Sequence, residues 1–283
     1  MRRTKMPEPF LKWPGGKRWL VQQHATMFPS SYRRYIEPFL GGGAVFFYLL
    51  PTSAVLSDTN PDLINAYECL QQYPALVDRR LHLLQKQHSK ELYYRIRATL
   101  PKNALERAVR FIYLNRTCFN GIYRVNRNGD FNVPIGSKTL VEYPEGYLQT
   151  LSGCLSKASL QAADFEDTIN RAGKDDFVFV DPPYTVMHNN NNFIKYNDRL
   201  FLWSDQLRLA SAIKRAASRG AKIMLSNADH HSVRELYREF GIHHRINRSS
   251  MLAAEASHRC QTTELLITTY PFPNDEQPRG PLR

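Results

Sequence analysis

The fold is decided by one stretch, Tyr35-Ile-Glu-Pro-Phe-Leu-Gly-Gly-Gly-Ala-Val-Phe-Phe-Tyr-Leu-Leu50, which has the pattern of a strand, a turn and a helix. Its glycines, Gly41–Gly43, let the backbone turn sharply and approach a ligand closely. A second apolar run ends at Asp58. An acid that follows the first strand at a spacing of about 20 residues can accept hydrogen bonds from ribose hydroxyls. Because open α/β sheets bind ligands beyond the carboxyl ends of their strands, this stretch predicts a nucleotide-binding loop.

The glycine loop alone leaves the nature of the bound group open. A dinucleotide motif would require a third glycine where Gly41-x-Gly43-x-x-Phe46 has phenylalanine. The bulky start of the following helix disfavours a pyrophosphate, so an adenosyl group without phosphates fits better. A glycine turn of purely structural value is the alternative.

Apolar runs alternate with helical stretches along the chain. The runs are Tyr35–Phe39, Ala54–Leu56, Phe177–Val180, Lys222–Leu225 and Glu264–Thr268. Between two of them, Gln206–Ser218 places apolar residues at helical spacing. This alternation predicts an α/β fold with a mostly parallel sheet that is covered by helices on both faces.

A basic module of helices and a hairpin interrupts this alternation from about residue 67 onward. Its predicted helices are Pro74–Lys86, Lys90–Thr99 and Ala104–Leu114. They are followed by Asn128-Gly129 between two extended arms, which predicts a β-hairpin with a type I′ turn. We therefore predict a discontinuous domain of residues 1–66 and 151–270, an inserted domain of residues 67–150 and a flexible tail of residues 271–283.

The 283 residues carry a net charge of +12, and the basic excess is confined to two stretches. Residues 79–140 hold 13 Lys and Arg against three acids, and residues 1–34 hold eight against one. Because the basic residues of the longer stretch are mainly Arg, interleaved with Tyr, Phe and Asn, this pattern predicts nucleic acid as the partner. A solvated basic face is the alternative.

Composition excludes several classes of protein. Hydrophobic residues make up 42% of the chain, which is enough for a substantial core and excludes a disordered protein. The four cysteines form no Cys-x-x-Cys pair, which argues against a disulfide framework or a zinc site. Because the sequence has no long apolar run and no secretory signal, we expect a soluble, cytoplasmic protein with no membrane partner.

A second motif, Asp181-Pro-Pro-Tyr184, follows the apolar run Phe177–Val180. The Asp181 carboxylate and the Pro182 carbonyl can accept both hydrogens of an adenine N6 amine, which localises the lone pair of that amine for methylation. The prolines fix φ and remove competing N–H donors. Tyr184 can stack on a base that has been withdrawn from the helix. A strand-ending turn without chemical function is the alternative.

Several short motifs follow one another in a fixed order. They are Phe10-Leu-Lys-Trp-Pro-Gly-Gly-Lys17, Glu37-Pro-Phe-Leu-Gly-Gly-Gly43, Ser57-Asp-Thr-Asn-Pro61, Leu114-Asn-Arg-Thr-Cys-Phe-Asn-Gly121, Phe131-Asn-Val-Pro134, Asp181-Pro-Pro-Tyr184 and Ser226-Asn227. Together they resemble the motifs of the Dam-type DNA adenine-N6 methyltransferases, in which an inserted target-recognition domain separates the cofactor motif from the catalytic motif. The resemblance extends from about residue 10 to residue 270. It implies a Rossmann-like methyltransferase sheet that depends on S-adenosylmethionine, with an inserted helical and β-hairpin target-recognition domain.

The resemblance implies S-adenosylmethionine as the methyl donor and a transfer that needs no metal. The implied cofactor-binding residues are Trp13, Lys17, Glu37, Pro38, Phe39, Gly41, Gly43, Asp58, Asp164, Phe165 and Asp181. Trp13 and Lys17 are expected at the methionine moiety. Asp58 is expected at the ribose, and Asp164-Phe165 at the adenine. The implied catalytic residues are Asp181, Pro182 and Tyr184.

The resemblance, together with the alternation of side chains along the hairpin arm, predicts contacts to double-stranded DNA. The predicted DNA-binding residues are Lys12, Arg116, Phe119, Asn120, Ile122, Arg124, Asn126 and Pro134. Ile122, Arg124 and Asn126 share one face of the arm, where Arg and Asn suit guanine and adenine edges in the major groove. Lys12 is expected beside a guanine, but Lys12 and Arg116 could instead be phosphate clamps or surface charges.

The predicted activity is therefore the methylation of adenine N6 in duplex DNA, with the base flipped out of the helix, at GATC or another site that contains GAT. Ile135-Gly-Ser-Lys138 lacks the Arg that GATC-specific members often have at this place. An RNA or protein-amide methyltransferase with the same chemistry and a non-catalytic DNA-binding protein are the alternatives. A restriction endonuclease that acts on the same site, without contact to this chain, is a further partner to consider.

Overall fold

The computed structural model describes residues 7–126, 129–186, 201–249 and 261–271. Its β-strands are β1 (Tyr35–Glu37), β2 (Ala54–Asp58), β3 (Ala158–Ala162), β4 (Phe177–Val180), β5 (Lys222–Ala228), β6 (Ile242–Ser249) and β7 (Gln261–Thr268). Its α-helices are α1 (Arg18–Gln23), α2 (Ala44–Leu49), α3 (Pro61–Gln72), α4 (Pro74–Lys86), α5 (Lys90–Ala98), α6 (Ala104–Thr117), α7 (Tyr147–Leu155), α8 (Phe165–Ile169), α9 (Trp203–Ser218) and α10 (His231–Leu236). Short 3₁₀ helices cover Ala25–Met27 and Phe119–Gly121.

The seven strands that the structure describes form one sheet in the order β3-β2-β1-β4-β5-β7-β6. Strands β1 and β4, β2 and β3, and β4 and β5 pair in parallel. Strand β7 runs antiparallel to both β5 and β6. The mostly parallel α/β sheet that the sequence predicts is confirmed.

The strand order reverses between β1 and β4, the place where open α/β sheets bind ligands beyond the carboxyl ends of their strands. These two strands pair in a parallel register in which Tyr35 lies opposite Phe177 and Ile36 opposite Val178. The stretch that begins Glu37-Pro-Phe follows this part of β1, and Asp181 directly follows β4. The topology therefore aligns two of the predicted motifs at one edge of the sheet.

Most predicted elements are present, with boundaries that local chemistry decides. The helix Pro74–Lys86 has the predicted bounds. Strand β1 ends at Glu37, two residues earlier than predicted, because Pro38 has no N–H to donate to a neighbouring strand. Helix α6 extends past its predicted end to Thr117, whose hydroxyl donates to the Tyr113 carbonyl at 2.7 Å.

The described residues form two compact units. The first unit comprises residues up to His24 and Leu40–Ala162, and it contains β2, β3 and α1–α7. The second unit comprises Ala25–Phe39 and the residues from Ala163 onward, and it contains β1, β4–β7 and α8–α10. The predicted domains, residues 1–66 with 151–270 and residues 67–150, stay a prediction.

The two arms of the inserted hairpin pair with each other, as the sequence predicts. The two arms meet at an antiparallel bridge between Val125 and Phe131. The Asn126 amide donates to the Asp130 carbonyl at 2.8 Å, and the Gly129 amide to the Asn126 carbonyl at 3.2 Å. The Asn126 side-chain oxygen also accepts from the Asp130 amide at 2.9 Å. The type I′ turn itself stays a prediction, because its central residue Asn128 lies outside the described residues.

Two other expectations concern membrane-spanning helices and the C-terminal tail. In the described residues, no helix has the length and apolar composition that crossing a bilayer requires. Of the predicted flexible tail, Pro271 alone is described, and the rest lies outside the described residues, as does Asn128 of the predicted turn.

Candidate functional site

In the first unit, the glycine loop is held by the carboxylate of Asp58. The Gly41 amide donates to Oδ2 of Asp58 at 3.0 Å, and the Asn60 amide donates to Oδ1 at 3.0 Å. Gly41 and Gly43 have φ of +47° and +66°, which residues with a side chain rarely adopt. Burial raises the pKa of Asp58, whereas hydrogen bonds from the amides of Asn60, Gly41 and Thr59 act in the opposite direction. The Asp58 carboxylate therefore fixes the backbone of the glycine loop through the Gly41 amide.

The Asp58 carboxylate keeps capacity for a ligand. A carboxylate offers about four lone-pair positions, and three backbone amides use part of them here. An additional acceptor position suits a hydroxyl donor such as that of a ribose. Helix α3 begins shortly after Asp58, where Asn60 Oδ1 accepts from the amides of Asp62 and Leu63 and so caps the helix.

Trp13 covers the same glycine loop. A Cβ atom at Gly41 would lie 2.6 Å from Cδ1 of Trp13, so only glycine fits under the indole ring. Lys17 is buried, and its Nζ donates to the Gly15 carbonyl at 3.0 Å. The structure therefore brings Trp13 to Gly41, whose amide donates to Asp58, and the binding of a cofactor by these residues stays a prediction.

In the second unit, Tyr184 of the Asp-Pro-Pro-Tyr motif is anchored by two buried polar residues. Its hydroxyl donates to Oε2 of Glu264 at 2.8 Å and lies 3.2 Å from Oγ of Ser226. Glu264 is only 3% exposed. Glu264 is not among the residues predicted from the sequence, although it is an acid at the start of the apolar run Glu264–Thr268.

A second buried carboxylate lies on β1. The Tyr35 hydroxyl donates to Oε2 of Glu37 at 2.8 Å, and both residues are buried. Burial raises the pKa of Tyr35 well above its ordinary value, and the charges of Glu37 and Asp181 raise it further. Glu37 ends β1 and Asp181 directly follows β4, and these two strands pair in parallel.

Phe165 and Asp164 lie at the start of α8. The Phe165 ring stacks on the Phe39 ring, with 5.4 Å between centroids and 23° between planes. Asp164 Oδ1 accepts from the Glu166 amide at 2.9 Å and from Arg208 at 2.6 Å. The Arg208 guanidinium also lies 4.8 Å from the centroid of Phe165. Phe39 and Phe165 are thus brought together, and Oδ1 of Asp164 is engaged by protein donors.

Two predicted DNA-binding cations are held by the protein itself. Lys12 Nζ donates to the Arg116 carbonyl at 3.0 Å, and burial lowers the pKa of Lys12, as do the charges of Lys138 and Arg116. The Arg116 guanidinium donates to the Glu142 carbonyl at 3.1 Å and lies 4.1 Å from the centroid of Tyr143. Arg116 therefore acts as an internal clamp, a role that the sequence did not predict.

The other predicted DNA-binding residues lie on or beside the hairpin. Phe119 is 53% exposed, and Asn120 has a φ of +53°. Arg124 is exposed, and its Nε donates to Oδ1 of Asn132 at 2.9 Å. The Asn126 side chain is engaged with Asp130 in the turn. The remaining two, half-buried Ile122 and exposed Pro134, flank this arm in the sequence.

Comparison with known proteins connects these features to a family. The family model of the D12 class N6 adenine-specific DNA methyltransferases matches residues 13–251. The type II methyltransferase M1.LlaDCHI of Lactococcus lactis subsp. cremoris is 37% identical over 276 residues, which cover 93% of this chain and 95% of that protein. The DNA adenine methylase of Vibrio cholerae serotype O1 is 36% identical over 239 residues, which cover 83% of this chain and 86% of that protein.

A third relative has a similar sequence identity to this chain. The type II methyltransferase M.MjaIII of Methanocaldococcus jannaschii is 37% identical over 244 residues, which cover 78% of this chain and 84% of that protein. These names support neither of the alternatives from the sequence, an RNA or protein-amide methyltransferase and a non-catalytic DNA-binding protein. The chain belongs to the D12 class N6 adenine-specific DNA methyltransferases.

Proposed function

We propose that this enzyme transfers the methyl group of S-adenosylmethionine to N6 of an adenine that has been flipped out of duplex DNA. The observation that carries the proposal is the position of Asp181-Pro-Pro-Tyr184, directly after the buried strand Phe177–Val180. There the carboxylate is only partly buried, and the tyrosine is anchored by its hydroxyl to Glu264 and Ser226.

The residues around the glycine loop fit S-adenosylmethionine by the hydrogen bonds that they can form. Asp58 has acceptor capacity for ribose hydroxyls, and the loop at Gly41 has no Cβ that would separate it from the Trp13 indole. In the second unit, Oδ2 of Asp164 is the carboxylate oxygen suited to accept from the amine of the cofactor's adenine. When bound, this cofactor supplies an electrophilic methyl group on a positively charged sulfur.

The motif then acts on the target amine. The Asp181 carboxylate and the Pro182 carbonyl each accept a hydrogen bond from one N6 hydrogen, which localises the lone pair on the nitrogen and makes the amine nucleophilic. As N6 bonds to the methyl carbon, the bond between that carbon and sulfur breaks, and N6 releases one proton to the solvent. Tyr184 presents its ring face to the extruded base, and such stacking contributes about 1–3 kcal/mol. This contribution offsets much of the few kcal/mol that flipping a base costs.

We propose GATC, or another site that contains GAT, as the target sequence. Arg124 would bind a guanine edge through its exposed guanidinium, Lys12 a second guanine, and Phe119 with Asn120 would fill the gap that the flipped base leaves. The exposure of Phe119 and Arg124 supports these roles. A restriction endonuclease with the same site and the cytoplasmic location both stay predictions.

The decisive experiment is the replacement of Asp181. We expect Asp181→Ala to abolish N6-methyladenine formation while duplex binding stays within about threefold of wild type, because phosphate contacts carry most of the affinity. Mass spectrometry of digested nucleosides measures the product, and sequencing of methylated positions identifies the site. Methylation by Asp181→Ala, or a product on cytosine alone, would contradict the proposal.

A further inference from the structure

Glu264 is a buried carboxylate whose hydrogen bonds lead to the motif that we propose as catalytic. Its Oε2 accepts from the Tyr184 hydroxyl at 2.8 Å and from the Ser226 hydroxyl at 3.3 Å. Tyr184 and Ser226 also contact each other, at 3.2 Å between their oxygens. Burying a carboxylate is unfavourable unless it is hydrogen-bonded, so these hydroxyl groups help to keep Glu264 in place.

The sheet fixes where these two anchors point. Strands β5 and β7 pair antiparallel, with Ala228 opposite Glu264 and Ser226 opposite Leu266. Residues two positions apart along a strand project from the same face. Ser226 and Glu264 are therefore diagonal neighbours on one face of the sheet. They form a rigid platform under a tyrosine that lies in a loop outside regular structure.

We propose that Glu264 is the positioning residue that fixes the ring of Tyr184 for stacking on the extruded base, while Ser226 donates to the same carboxylate oxygen of Glu264. The inference rests on the proposed stacking role of Tyr184. A tyrosine side chain has two rotatable bonds, and a held hydroxyl restricts both of them. Without the acceptor on β7, the ring would sample other orientations and hold the base poorly in the transition state.

The expected effect follows from the strength of the lost contact. A hydrogen bond to a charged group is worth more than one between neutral groups. We therefore expect Glu264→Ala to lower the single-turnover methylation rate by roughly 10- to 100-fold. We expect DNA affinity and cofactor affinity to change by no more than about threefold, because Glu264 acts after both ligands have bound.

The test is a double-mutant cycle between Tyr184→Phe and Glu264→Ala. Glu264→Gln keeps an acceptor of the same shape and is the conservative variant, and Glu264→Leu fills the space if the alanine variant fails to fold. Glu239→Ala removes an exposed acid of the second unit and is the matched control. Each variant is measured for single-turnover rate, DNA affinity, melting temperature and the fluorescence of a duplex with 2-aminopurine at the target position.

The expected result is non-additivity. Because Glu264 acts through the Tyr184 hydroxyl, Glu264→Ala should slow the wild type but cause little further loss in Tyr184→Phe, and Glu264→Gln should restore the rate to within about threefold of wild type. The 2-aminopurine signal should change in the same variants that lose rate.

Three results would overturn the inference in distinguishable ways. If Glu264→Ala, or Glu264→Leu, slows Tyr184→Phe as much as it slows wild type, Glu264 has a general structural role and the positioning inference alone fails. If Tyr184→Ala methylates DNA at the wild-type rate, the stacking role of Tyr184 fails, and the inference fails with it. If Glu239→Ala also lowers the single-turnover methylation rate, removing an acid elsewhere in this unit slows the reaction, and the effect is not specific to Glu264.

Discussion

The indole ring of Trp13 stacks on the phenol ring of Tyr123, with 5.9 Å between the ring centroids and 18° between the ring planes. On one side, Trp13 lies against the backbone of Gly41 in the glycine loop. On the other, Tyr123 contacts Phe131 of the opposite hairpin arm, with 5.7 Å between centroids. The stack therefore joins the loop proposed for the cofactor to the hairpin proposed for DNA.

Removing this stack should weaken both ligands at once. An aromatic pair contributes about 0.5–1.5 kcal/mol beyond its buried area, so Tyr123→Ala should lower cofactor affinity by roughly 2- to 10-fold. Tyr123→Ala should also lower the affinity for cognate duplex, whereas Tyr123→Phe should retain both the cofactor affinity and the DNA affinity. Calorimetry measures the cofactor and fluorescence anisotropy measures DNA.

The control for this prediction is an exposed aromatic residue of the same module. Phe119→Ala should weaken DNA binding and leave cofactor affinity unchanged, because the ring of Phe119 is half exposed and is proposed to face DNA. If Tyr123→Ala binds the cofactor as tightly as wild type does, the two sites are not joined through this stack.

Arg124 should determine sequence selectivity. Its Nε is held by Asn132, so the end of the guanidinium remains to contact a guanine edge. Arg124→Ala should cost about 1–3 kcal/mol on cognate DNA and much less on random duplex. Competition binding with cognate and random duplexes at one salt concentration measures the difference.

The matched control is Lys102→Ala, which removes an exposed cation of the same module. It should weaken cognate and random binding equally and reduce the salt slope by about one. Asn132→Ala should resemble Arg124→Ala with a smaller effect, because it releases the guanidinium without removing it. Equal losses on both duplexes for Arg124→Ala would assign it to the phosphate backbone.

The lowered pKa of Lys12 predicts that DNA binding weakens at alkaline pH. Burial lowers the pKa of Lys12, and the charges of Lys138 and Arg116 lower it further. As pH rises through this lowered value, the ammonium group loses its proton and its attraction for DNA, at a pH where an ordinary lysine is still charged. The affinity of wild type should therefore fall relative to that of Lys12→Arg, whose guanidinium stays charged. Parallel curves of affinity against pH would refute this role.

The features that the sequence predicted are those encoded locally. The strand, glycine turn and Asp58 lie within one short stretch, and apolar runs that alternate with helical spacing suffice to predict a mostly parallel sheet. The helix Pro74–Lys86 begins at a proline, which suits the first position of a helix. These signals need no knowledge of how distant residues pack.

What the sequence could not predict depends on distant partners. Tyr184 and Glu264 lie 80 residues apart, and their contact exists because β7 is placed beside β5. The internal clamp of Arg116 likewise requires the backbone at Glu142. The hydrogen bonds between the Asn126 side chain and Asp130 were likewise not predicted, and the base contact expected of Asn126 stays a prediction.

The buried acid before β4 predicts a dependence of stability on pH. The Asp176 side chain is fully buried and accepts from Arg33 at 3.1 Å, from Arg34 at 2.9 Å and from the Gly173 amide at 3.0 Å. Burial alone would raise the pKa of Asp176, but the Gly173 amide and the two arginines outweigh it and hold the pKa below its ordinary value.

Because the pKa of Asp176 is lowered in the folded protein, its carboxylate stabilises the fold at pH values above the ordinary pKa of an aspartate. This contribution to stability is lost as the pH falls through the pKa of the folded state. Asp176→Ala should therefore reduce the free energy of unfolding at neutral pH by about 2–4 kcal/mol, and the difference from wild type should shrink in acid. Urea denaturation at neutral and acidic pH measures it, with the exposed Asp167→Ala as control. A difference that stays constant as the pH falls would show that Asp176 acts by packing and not by its charge.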